Sequence, residues 1–564
     1  MNILVFSHVT AATLKENLGK AEYSYFFVLE RYLPVLQRLG TVTVIADPET
    51  EVDRMYAASK ARQEDCVFLC FSPPNKAPLG LACPTLCVFA WEFDTLPTEV
   101  WDGDLRQDWR TVLADHGRAI TLSRHTQRVV REAMGPDFPV AAIPVPTFDR
   151  FARKPWKGRH PPKGTRTLNI RGTVVDSKDY EITPETFHCT APLERFCSEG
   201  WNGARRELHF ALGKEASGHL GGFYAPEPWG TWSRIAAPWV MLPFALEGIV
   251  RLSVCAGGYG YNAGRTIGLH IGDLTQPLTL GTDFAPVAFD FFLQGPSNLI
   301  RFSDLDTRSY PGAQDPRSMG LGLRWISVER LDPDHRALQF PSALKELELS
   351  GVVYTSVLNP ADDRKNWTDM LKAFCEAFRD TPDATLVLKM THHSSASFLS
   401  TLLLLLQQSG PTKCRIVAIH GYLEESEMQQ FCDASSYYIN ASKGEGLCMP
   451  LMEFMSAGVP AVAPINTAMA DYIRTDCAFV VESSLQPAIW PHDERALLRC
   501  CYYRINQESL KAALMESYRV VTRDGGRYTR MCGAARDAQA RFSADAVVEA
   551  ALGTFLAGAH CAGL

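Results

Sequence analysis

Residues 440–453 have the sequence Asn-Ala-Ser-Lys-Gly-Glu-Gly-Leu-Cys-Met-Pro-Leu-Met-Glu. The apolar residues 436–439 before them predict a buried strand, and residues 459–464 after them predict another. Between these strands, Pro450 suits the first turn of a helix and Gly458 suits its end. The order strand, loop, helix, strand is typical of an α/β domain with a parallel sheet.

Two glutamates lie on either side of the predicted helix start. Glu445 is in the loop, and Glu453 is about one turn into the helix. A helix N-terminus suits a phosphate, because its unpaired N–H groups carry partial positive charge. Gly444 and Gly446 let the backbone approach a ligand closely, and carboxylates accept hydrogen bonds from sugar hydroxyls. For each glutamate alone, a place beside the helix dipole or in solvent stays an open alternative.

The composition is that of a soluble globular protein. At 564 residues the chain is too long for one core, so we expect about three or four domains. A formal charge of −7 gives no support for nucleic-acid binding, which favours a basic surface. The 16 cysteines are scattered, often within apolar runs, which indicates buried thiols in a reducing cytoplasm.

The sequence predicts a cytoplasmic location. The first six residues predict a strand and no signal peptide. The longest apolar run, residues 402–406, is far too short to cross a membrane. Peripheral contact with the cytoplasmic face of a membrane stays open.

The pattern along the chain predicts two α/β domains with a β-rich module between them. The predicted segments are 1–150, 151–164, 165–335, 345–520 and 521–564. Strands and helices alternate in residues 1–150 and 345–520, which predicts an α/β domain in each. Residues 151–164 have the basic, proline-rich composition of a linker, and short strands with glycine-rich turns predict a β-sandwich in residues 165–335. Residues 493–564 are expected to be helical.

Residues 223–233 of the module contain closely spaced aromatic side chains. Their sequence, Phe-Tyr-Ala-Pro-Glu-Pro-Trp-Gly-Thr-Trp-Ser, resembles a segment of sandwich modules attached to bacterial polysaccharide enzymes, and the module resembles a carbohydrate-binding jelly roll. Tyr224, Trp229 and Trp232 are therefore candidates for stacking on sugar rings. Aromatic side chains also fill cores, so a purely structural or oligomerising role stays open.

Residues 440–453 resemble the donor-site motif of the retaining glycosyltransferases of family 4, which have two Rossmann-like domains in the GT-B fold. That motif has two glutamates separated by seven residues, and Glu445 and Glu453 have this spacing. The resemblance implies that Glu453 holds the ribose hydroxyls of a nucleotide sugar and that Glu445 holds the hydroxyls of its sugar. The other implied donor contacts in this motif are Gly446, Leu447, Met449, Pro450 and Leu451.

Three basic residues are candidates for contact with the donor diphosphate. Lys365 matches the lysine of the family's diphosphate-binding loop. The family's arginine usually lies several residues earlier, so Arg364 is a candidate by position alone. Lys389 ends a predicted strand and either reaches the diphosphate or extends into solvent.

Two segments of the first domain complete the predicted site. Residues 19–22 resemble a glycine-rich turn near the donor phosphates, except that Lys20 replaces the second glycine. Glu92 and Asp94 follow a predicted strand, where ligands bind in such sheets, although a surface loop with a packed aromatic pair is an equal alternative. We predict Glu445, Lys365 and Glu92 as the catalytic residues.

The resemblance implies sugar transfer, with retention, from a nucleotide diphosphate to a hydroxyl of a glycan or lipid-linked acceptor. It implies no metal and no cofactor, since the nucleotide sugar is a co-substrate. Bacterial lipopolysaccharide, capsule or exopolysaccharide synthesis is the expected pathway. A nucleotide-sugar epimerase of the same fold and a non-catalytic glycan-binding scaffold are the alternatives, and homo-oligomerisation stays open.

Overall fold

The structure is a computed structural model that is mixed α/β, and its described residues form two largely parallel sheets, one eight-stranded antiparallel sheet and three two-stranded antiparallel pairs. None of the described helices combines the length and apolarity needed to cross a membrane. The described residues are 1–11, 13–17, 19–20, 22–152, 155–161, 164–170, 172–182, 187–189, 197, 200–212, 214, 219–311, 315, 317–331, 345–392, 396–491, 493 and 495–557.

The N-terminal half is a six-stranded parallel sheet with helices packed on it. Its central strands are fully buried and apolar, as expected for a parallel sheet covered on both faces. The strands in spatial order are Thr41–Val44, Asn2–Phe6, Cys66–Phe71, Thr85–Phe89, Ala119–Thr121 and Val140–Ala142. The helices are Leu14–Asn17, Tyr23–Leu39, Pro48–Ala61, Trp109–His116, Arg124–Met134 and Phe148–Phe151.

The C-terminal half is a seven-stranded sheet whose strands are parallel except for one edge strand. Its strands in spatial order are Ala478–Val481, Ala461–Pro464, Tyr437–Ile439, Val352–Leu358, Ala384–Met390, Arg415–His420 and Thr173–Asp176. Its helices are Trp367–Ala377, Ala396–Ser409, Glu425–Ala434, Met449–Ser456, Gln507–Arg523, Gly525–Ser543 and Asp545–Ala557.

The antiparallel module is one hydrogen-bonded sheet of eight strands with its own apolar core. The sequence predicts short strands here, whereas Trp239–Gly258 has 20 residues and Pro286–Ser303 has 18. Bulges between these two strands interrupt their register, so one long strand resembles separate short runs in sequence. The jelly-roll sandwich stays a prediction. The other strands are Arg206–His209, His219–Gly221, Thr231–Trp232, Thr266–Ile271, Leu274–Thr279 and Leu321–Arg330.

The chain enters and leaves the module through a two-stranded antiparallel pair, Arg166–Ile170 with Lys345–Leu349. The next strand, Thr173–Asp176, falls within the predicted module but pairs with the edge of the C-terminal sheet. Arg415 holds it there through the buried carboxylate of Asp176, at 2.5 Å. A strand of the inserted segment therefore forms part of the C-terminal half. A separate short hairpin joins Tyr180–Ile182 to Phe187–Cys189.

The prediction that residues 493–564 are helical throughout is wrong at its start. Ser483–Ile489 and Arg499–Ile505 form an antiparallel hairpin, and the three C-terminal helices follow it. Trp490 at the hairpin is 6% exposed and lies against the ring of Trp91 in the N-terminal half, with 5.5 Å between centroids. The periodicity of this segment predicted a helix. The segment instead forms a hairpin, and this hairpin packs against the N-terminal half.

The last helix, Asp545–Ala557, packs against Tyr23–Leu39 of the N-terminal half. Arg38 reaches Glu549 at 2.6 Å and Asp545 at 3.2 Å. One cluster of buried apolar residues continues from the N-terminal sheet to Met449–Ser456. The two halves therefore meet along an extensive contact.

Candidate functional site

A cavity of about 710 Å³ lies between the two halves. It adjoins the carboxyl ends of strands from both sheets, which is where ligands bind in open α/β sheets. Glu92 and Lys20 line it from the N-terminal half, and Lys389, Glu445 and Glu453 line it from the C-terminal half.

The loop after Tyr437–Ile439 and the helix Met449–Ser456 form one wall of this cavity. The helix starts after Cys448, which has a left-handed φ of 65°, and has a proline in its first turn. Leu451 is buried in the core and does not line the cavity, unlike the other predicted donor contacts of this motif. Those that line it are Gly446, Leu447, Met449, Pro450 and Glu453.

Glu445 is buried at 3% exposure and accepts hydrogen bonds from charged and neutral donors. Lys365 Nζ contacts both carboxylate oxygens, at 2.9 and 2.7 Å. Ser442 Oγ donates at 2.6 Å, and Arg364 Nη1 at 3.2 Å. Burial opposes the charge of Glu445, but Lys365 and Arg364 outweigh this effect and lower its pKa to about 2. Glu445 is therefore a carboxylate at physiological pH.

Arg364 joins the two halves. Its Nε lies 3.0 Å from Glu92 Oε1 in an ion pair, its Nη2 donates to Asp362 at 2.8 Å, and its Nη1 donates to the Gly444 carbonyl at 2.7 Å as well as to Glu445. Burial opposes its charge, yet the surrounding carboxylates raise its pKa above the ordinary value. The sequence candidates Arg364, Lys365, Glu445 and Glu92 are therefore one connected network.

Glu92 and Asp94 have different surroundings. Glu92 lines the cavity, and burial raises its pKa although Arg364 opposes that shift. Asp94 does not line the cavity, and its carboxylate accepts the backbone N–H of Cys501 on the hairpin at 2.6 Å. Glu92 therefore lines the cavity, whereas Asp94 connects the N-terminal half to the hairpin of the C-terminal half.

Lys389 is buried at 5% exposure and does not extend into solvent. Its Nζ donates to Thr391 Oγ1 at 2.8 Å. Burial lowers its pKa to about 8, with the charge of Glu453 acting in the opposite direction. Lys389 therefore changes charge just above neutral pH.

Glu453 pairs with Arg31 of the helix Tyr23–Leu39, a contact that sequence analysis missed. The two residues are 422 positions apart, so no local spacing connects them. A signal was present, because Arg31 lies on the buried face of its helix beside Val28, Tyr32 and Val35. A charged residue on such a face requires a buried partner.

The N-terminal half packs closely against Gly444 and Gly446. A Cβ on Gly446 would lie 2.8 Å from the Cβ of Ala90, and one on Gly444 would lie 3.2 Å from the Glu92 carbonyl oxygen. These glycines were predicted to admit a ligand. In the structure, they admit the loop that carries Glu92.

The predicted turn at residues 19–22 also reaches the cavity, through Gly19 and Lys20. Gly19 has a φ of +85°, and its carbonyl accepts a hydrogen bond from Asn359 of the C-terminal half at 2.7 Å. Lys20 Nζ donates to Asn17 at 3.0 Å. Ala21 lies outside the described residues.

The aromatic candidates of the antiparallel module do not line this cavity. Trp229 and Trp232 are half-buried and meet edge to face at 5.0 Å, and Trp229 contacts Phe284 at the same distance. The half-buried Tyr224 donates its hydroxyl to the Ser318 carbonyl at 3.2 Å. Among the residues that the structure describes, no three His, Cys, Asp or Glu side chains are placed to hold a metal ion.

Solved structures similar to this chain include an Anabaena protein, HepE, in complex with UDP and glucose. That match covers 99% of this chain and 100% of HepE, at 8% identity and a TM-score of 0.44. A match to S. aureus TarM, solved with fondaparinux, alpha-GlcNAc-glycerol and UDP, covers 37% of this chain and 36% of TarM (7% identity, TM-score 0.28). A match to sucrose-phosphate synthase from Thermosynechococcus elongatus covers 38% of this chain and 46% of that protein (13% identity, TM-score 0.28).

Two segments of the chain match family models. Residues 208–330, within the antiparallel module, match a domain of unknown function, DUF7024. The chain matches no curated protein. Residues 350–489, which include Lys365, Lys389, Glu445 and Glu453, match the model of the glycosyl transferases group 1. The C-terminal half therefore contains a segment that is similar to the glycosyl transferases group 1.

Proposed function

We propose that the protein transfers a sugar from a nucleotide-diphosphate sugar to a hydroxyl of a glycan or lipid-linked acceptor, with retention at the anomeric carbon. One observation carries the proposal. Glu445, Lys365 and Glu453, which the family motif assigns to the donor, all line one cavity between the two halves. The group 1 match of residues 350–489 supports the same activity.

Glu453 binds the ribose hydroxyls of the donor and Glu445 binds hydroxyls of its sugar. A buried carboxylate is a strong acceptor for a hydroxyl, because the hydrogen bond is charge-assisted and screened from water. The low pKa of Glu445, about 2, keeps it an acceptor at any physiological pH.

Lys365 stabilises the departing diphosphate. A lysine ammonium has three N–H donors, and Glu445 accepts at two oxygens, so one donor remains for a phosphate oxygen. A fixed donor stabilises the charge that grows on the leaving group without reorganising in the transition state. The transfer is proposed to need no metal ion, as the family resemblance implies.

Arg364 mainly holds the site together. Its guanidinium donates to Asp362, Glu445 and the Gly444 carbonyl and forms an ion pair with Glu92. These protein groups surround it on several sides. We therefore assign Arg364 to the contact between the halves, with Lys365 as the main phosphate contact.

The chemical step breaks the bond between the anomeric carbon and the diphosphate oxygen. The acceptor hydroxyl forms the new bond on the same face, and its proton passes to the departing phosphate oxygen. No protein nucleophile takes part, as the family resemblance implies. Glu92 lies at the rim beside this reaction, where we assign it to the transferred sugar or the acceptor.

A ligand panel tests this proposal. UDP-, GDP-, ADP- and dTDP-sugars are added to the wild-type protein and to Glu445→Gln, and thermal unfolding is followed. A ligand at about 100 times its Kd stabilises a protein by about 2.7 kcal/mol. We expect one donor family to stabilise the wild type more than its free nucleoside diphosphate does, and Glu445→Gln to lose that difference.

The matched control is Glu482→Gln, which replaces an exposed glutamate outside the cavity. It should respond like the wild type. A wild-type protein that no nucleotide sugar stabilises would contradict the proposal. A wild-type response from Glu445→Gln would remove Glu445 from the sugar subsite.

The acceptor class is the less constrained part of the proposal. Synthesis of a bacterial surface polysaccharide remains our proposed pathway. The antiparallel module is proposed to bind glycan through Tyr224, Trp229 and Trp232, because their rings form a half-exposed cluster outside the donor cavity. Glycan binding that survives Glu445→Gln and is lost in Trp229→Ala would support this second role.

A further inference from the structure

Arg31 is the one basic residue of the N-terminal half that the described structure places in contact with Glu453. Both side chains are buried, at 8% exposure each. A charge removed from water carries a large desolvation cost, which a hydrogen-bonded opposite charge offsets. Arg31 therefore stabilises Glu453 as a buried carboxylate in the cavity wall.

The guanidinium of Arg31 is itself held in place by its own half. Its Nη1 donates to Thr147 Oγ1 at 3.4 Å, and its Cζ lies 5.2 Å from the centre of the Phe151 ring. Thr147 is in turn fixed by a hydrogen bond from its backbone N–H to the Ser543 carbonyl at 3.0 Å. The direction from which Arg31 approaches Glu453 is therefore set by the N-terminal half and a C-terminal helix.

The contact uses one oxygen of Glu453. Arg31 Nη2 donates to Oε1, and Oε2 accepts no hydrogen bond from the residues that the structure describes. A carboxylate that a fixed cation holds at one oxygen keeps its second oxygen available as an acceptor. Since Glu453 lines the cavity, that oxygen is available to a ligand hydroxyl.

We propose that Arg31 is a positioning residue that orients Glu453 for the nucleoside part of the donor. This inference rests on the proposed donor role of Glu453. On this proposal, residues from both halves form the nucleoside subsite. Donor affinity therefore depends on Arg31, which lies outside the group 1 segment, residues 350–489.

The test measures nucleotide binding by calorimetry. UDP, GDP and ADP are titrated into the wild type, and the tightest binder is the probe for all variants. Arg31→Ala should weaken the probe about 10- to 100-fold, the range expected when a charged hydrogen bond that organises a site is lost. Arg31→Lys should recover part of the affinity, because it restores the charge but not the planar fork. With the full donor, KM should rise far more than kcat falls.

The matched control is Arg38→Ala on the same helix. Arg38 also pairs with C-terminal residues, Asp545 and Glu549, but it is largely exposed and outside the cavity. Its loss should leave nucleotide affinity within about twofold, since exposed ion pairs contribute little.

The outcomes separate this inference from the proposed function. If Glu453→Gln weakens the probe and Arg31→Ala does not, Arg31 is structural and the inference fails. If neither variant changes affinity, the assignment of Glu453 to the donor fails with it. Should Arg31→Ala fail to fold, Arg31→Lys decides: wild-type affinity and KM in that variant would overturn a role for the guanidinium geometry.

Discussion

The two walls of the cavity are built in different ways. The C-terminal wall comes from several segments, and its donor candidates Glu445 and Glu453 belong to one local motif that is visible in the sequence. The N-terminal wall comes mainly from the stretch between Gly19 and Arg31, with Glu92 on a separate loop. No local motif indicates the pairing of Arg31 with Glu453, because it arises only when the two halves pack together.

The two walls also differ in where the partners of their ion pairs lie. The C-terminal wall contains both members of its main ion pair, Lys365 and Glu445. The N-terminal wall supplies one partner to each of two further pairs, with Arg31 on Glu453 and Glu92 on Arg364. The proposed donor site is thus complete only when the two halves meet.

The largest effect is expected in the C-terminal wall. Lys365→Ala should lower turnover about 100- to 1,000-fold, because it removes a fixed donor from the leaving group. Donor binding should change less than turnover, since the leaving-group charge grows in the transition state. Steady-state kinetics with the donor found by the ligand panel measures both.

Lys443→Ala is the control for that variant. Lys443 lies in the same loop as Glu445 but pairs with Asp363 and does not line the cavity. Its turnover should stay within about twofold of the wild type, as is usual for a partly exposed ion pair. Equal losses in Lys365→Ala and Lys443→Ala would remove Lys365 from the mechanism.

The next effect concerns the hairpin that contacts the N-terminal half. Trp490→Ala should reduce the free energy of unfolding by about 3 kcal/mol, because it empties a site packed against Trp91 and Trp109. Leu485→Ala on the same hairpin, at 54% exposure, should cost about 0.5 kcal/mol or less. Urea denaturation of both variants measures the difference, and equal stabilities would mean that Trp490 does not hold the halves together.

The smallest effect is a pH dependence at Lys389. Its pKa of about 8 means that it is charged at neutral pH and loses its charge as pH rises. Donor affinity should therefore fall between pH 7 and 9, by up to about tenfold if Lys389 contacts the diphosphate, since about a tenth of it is protonated at pH 9. Calorimetry should give a flatter profile for Lys389→Met. Parallel profiles would show that Lys389 does not reach the diphosphate.

The sequence predicted the elements of the two α/β halves well where hydrophobic patterning was strong. The strand, helix and strand predicted around residues 436–464 are present as Tyr437–Ile439, Met449–Ser456 and Ala461–Pro464. Patterning failed where packing partners are distant. The hairpin Arg499–Ile505 and the edge strand Thr173–Asp176 are stabilised by contacts far away in the chain.

The same distinction applies to the site. Glu445 and Lys365 were proposed from local motifs, and the structure places them in direct contact. Arg31 was missed because its partner is distant, and Asp94 proved to accept a backbone N–H of the hairpin. The roles of Gly444 and Gly446 include contact with the facing half, which no motif in one domain indicates.

The most direct test of the central claim is the release of a nucleoside diphosphate from a nucleotide sugar. The wild-type protein and Glu445→Gln are incubated with each donor of the panel and a hydroxyl acceptor, and the released diphosphate is quantified over time. The account predicts release from one donor family by the wild type and a loss of about 100-fold or more in the variant, the size expected when a group organising the transition state is removed. Release by neither protein with any donor, or equal release by both, would contradict it.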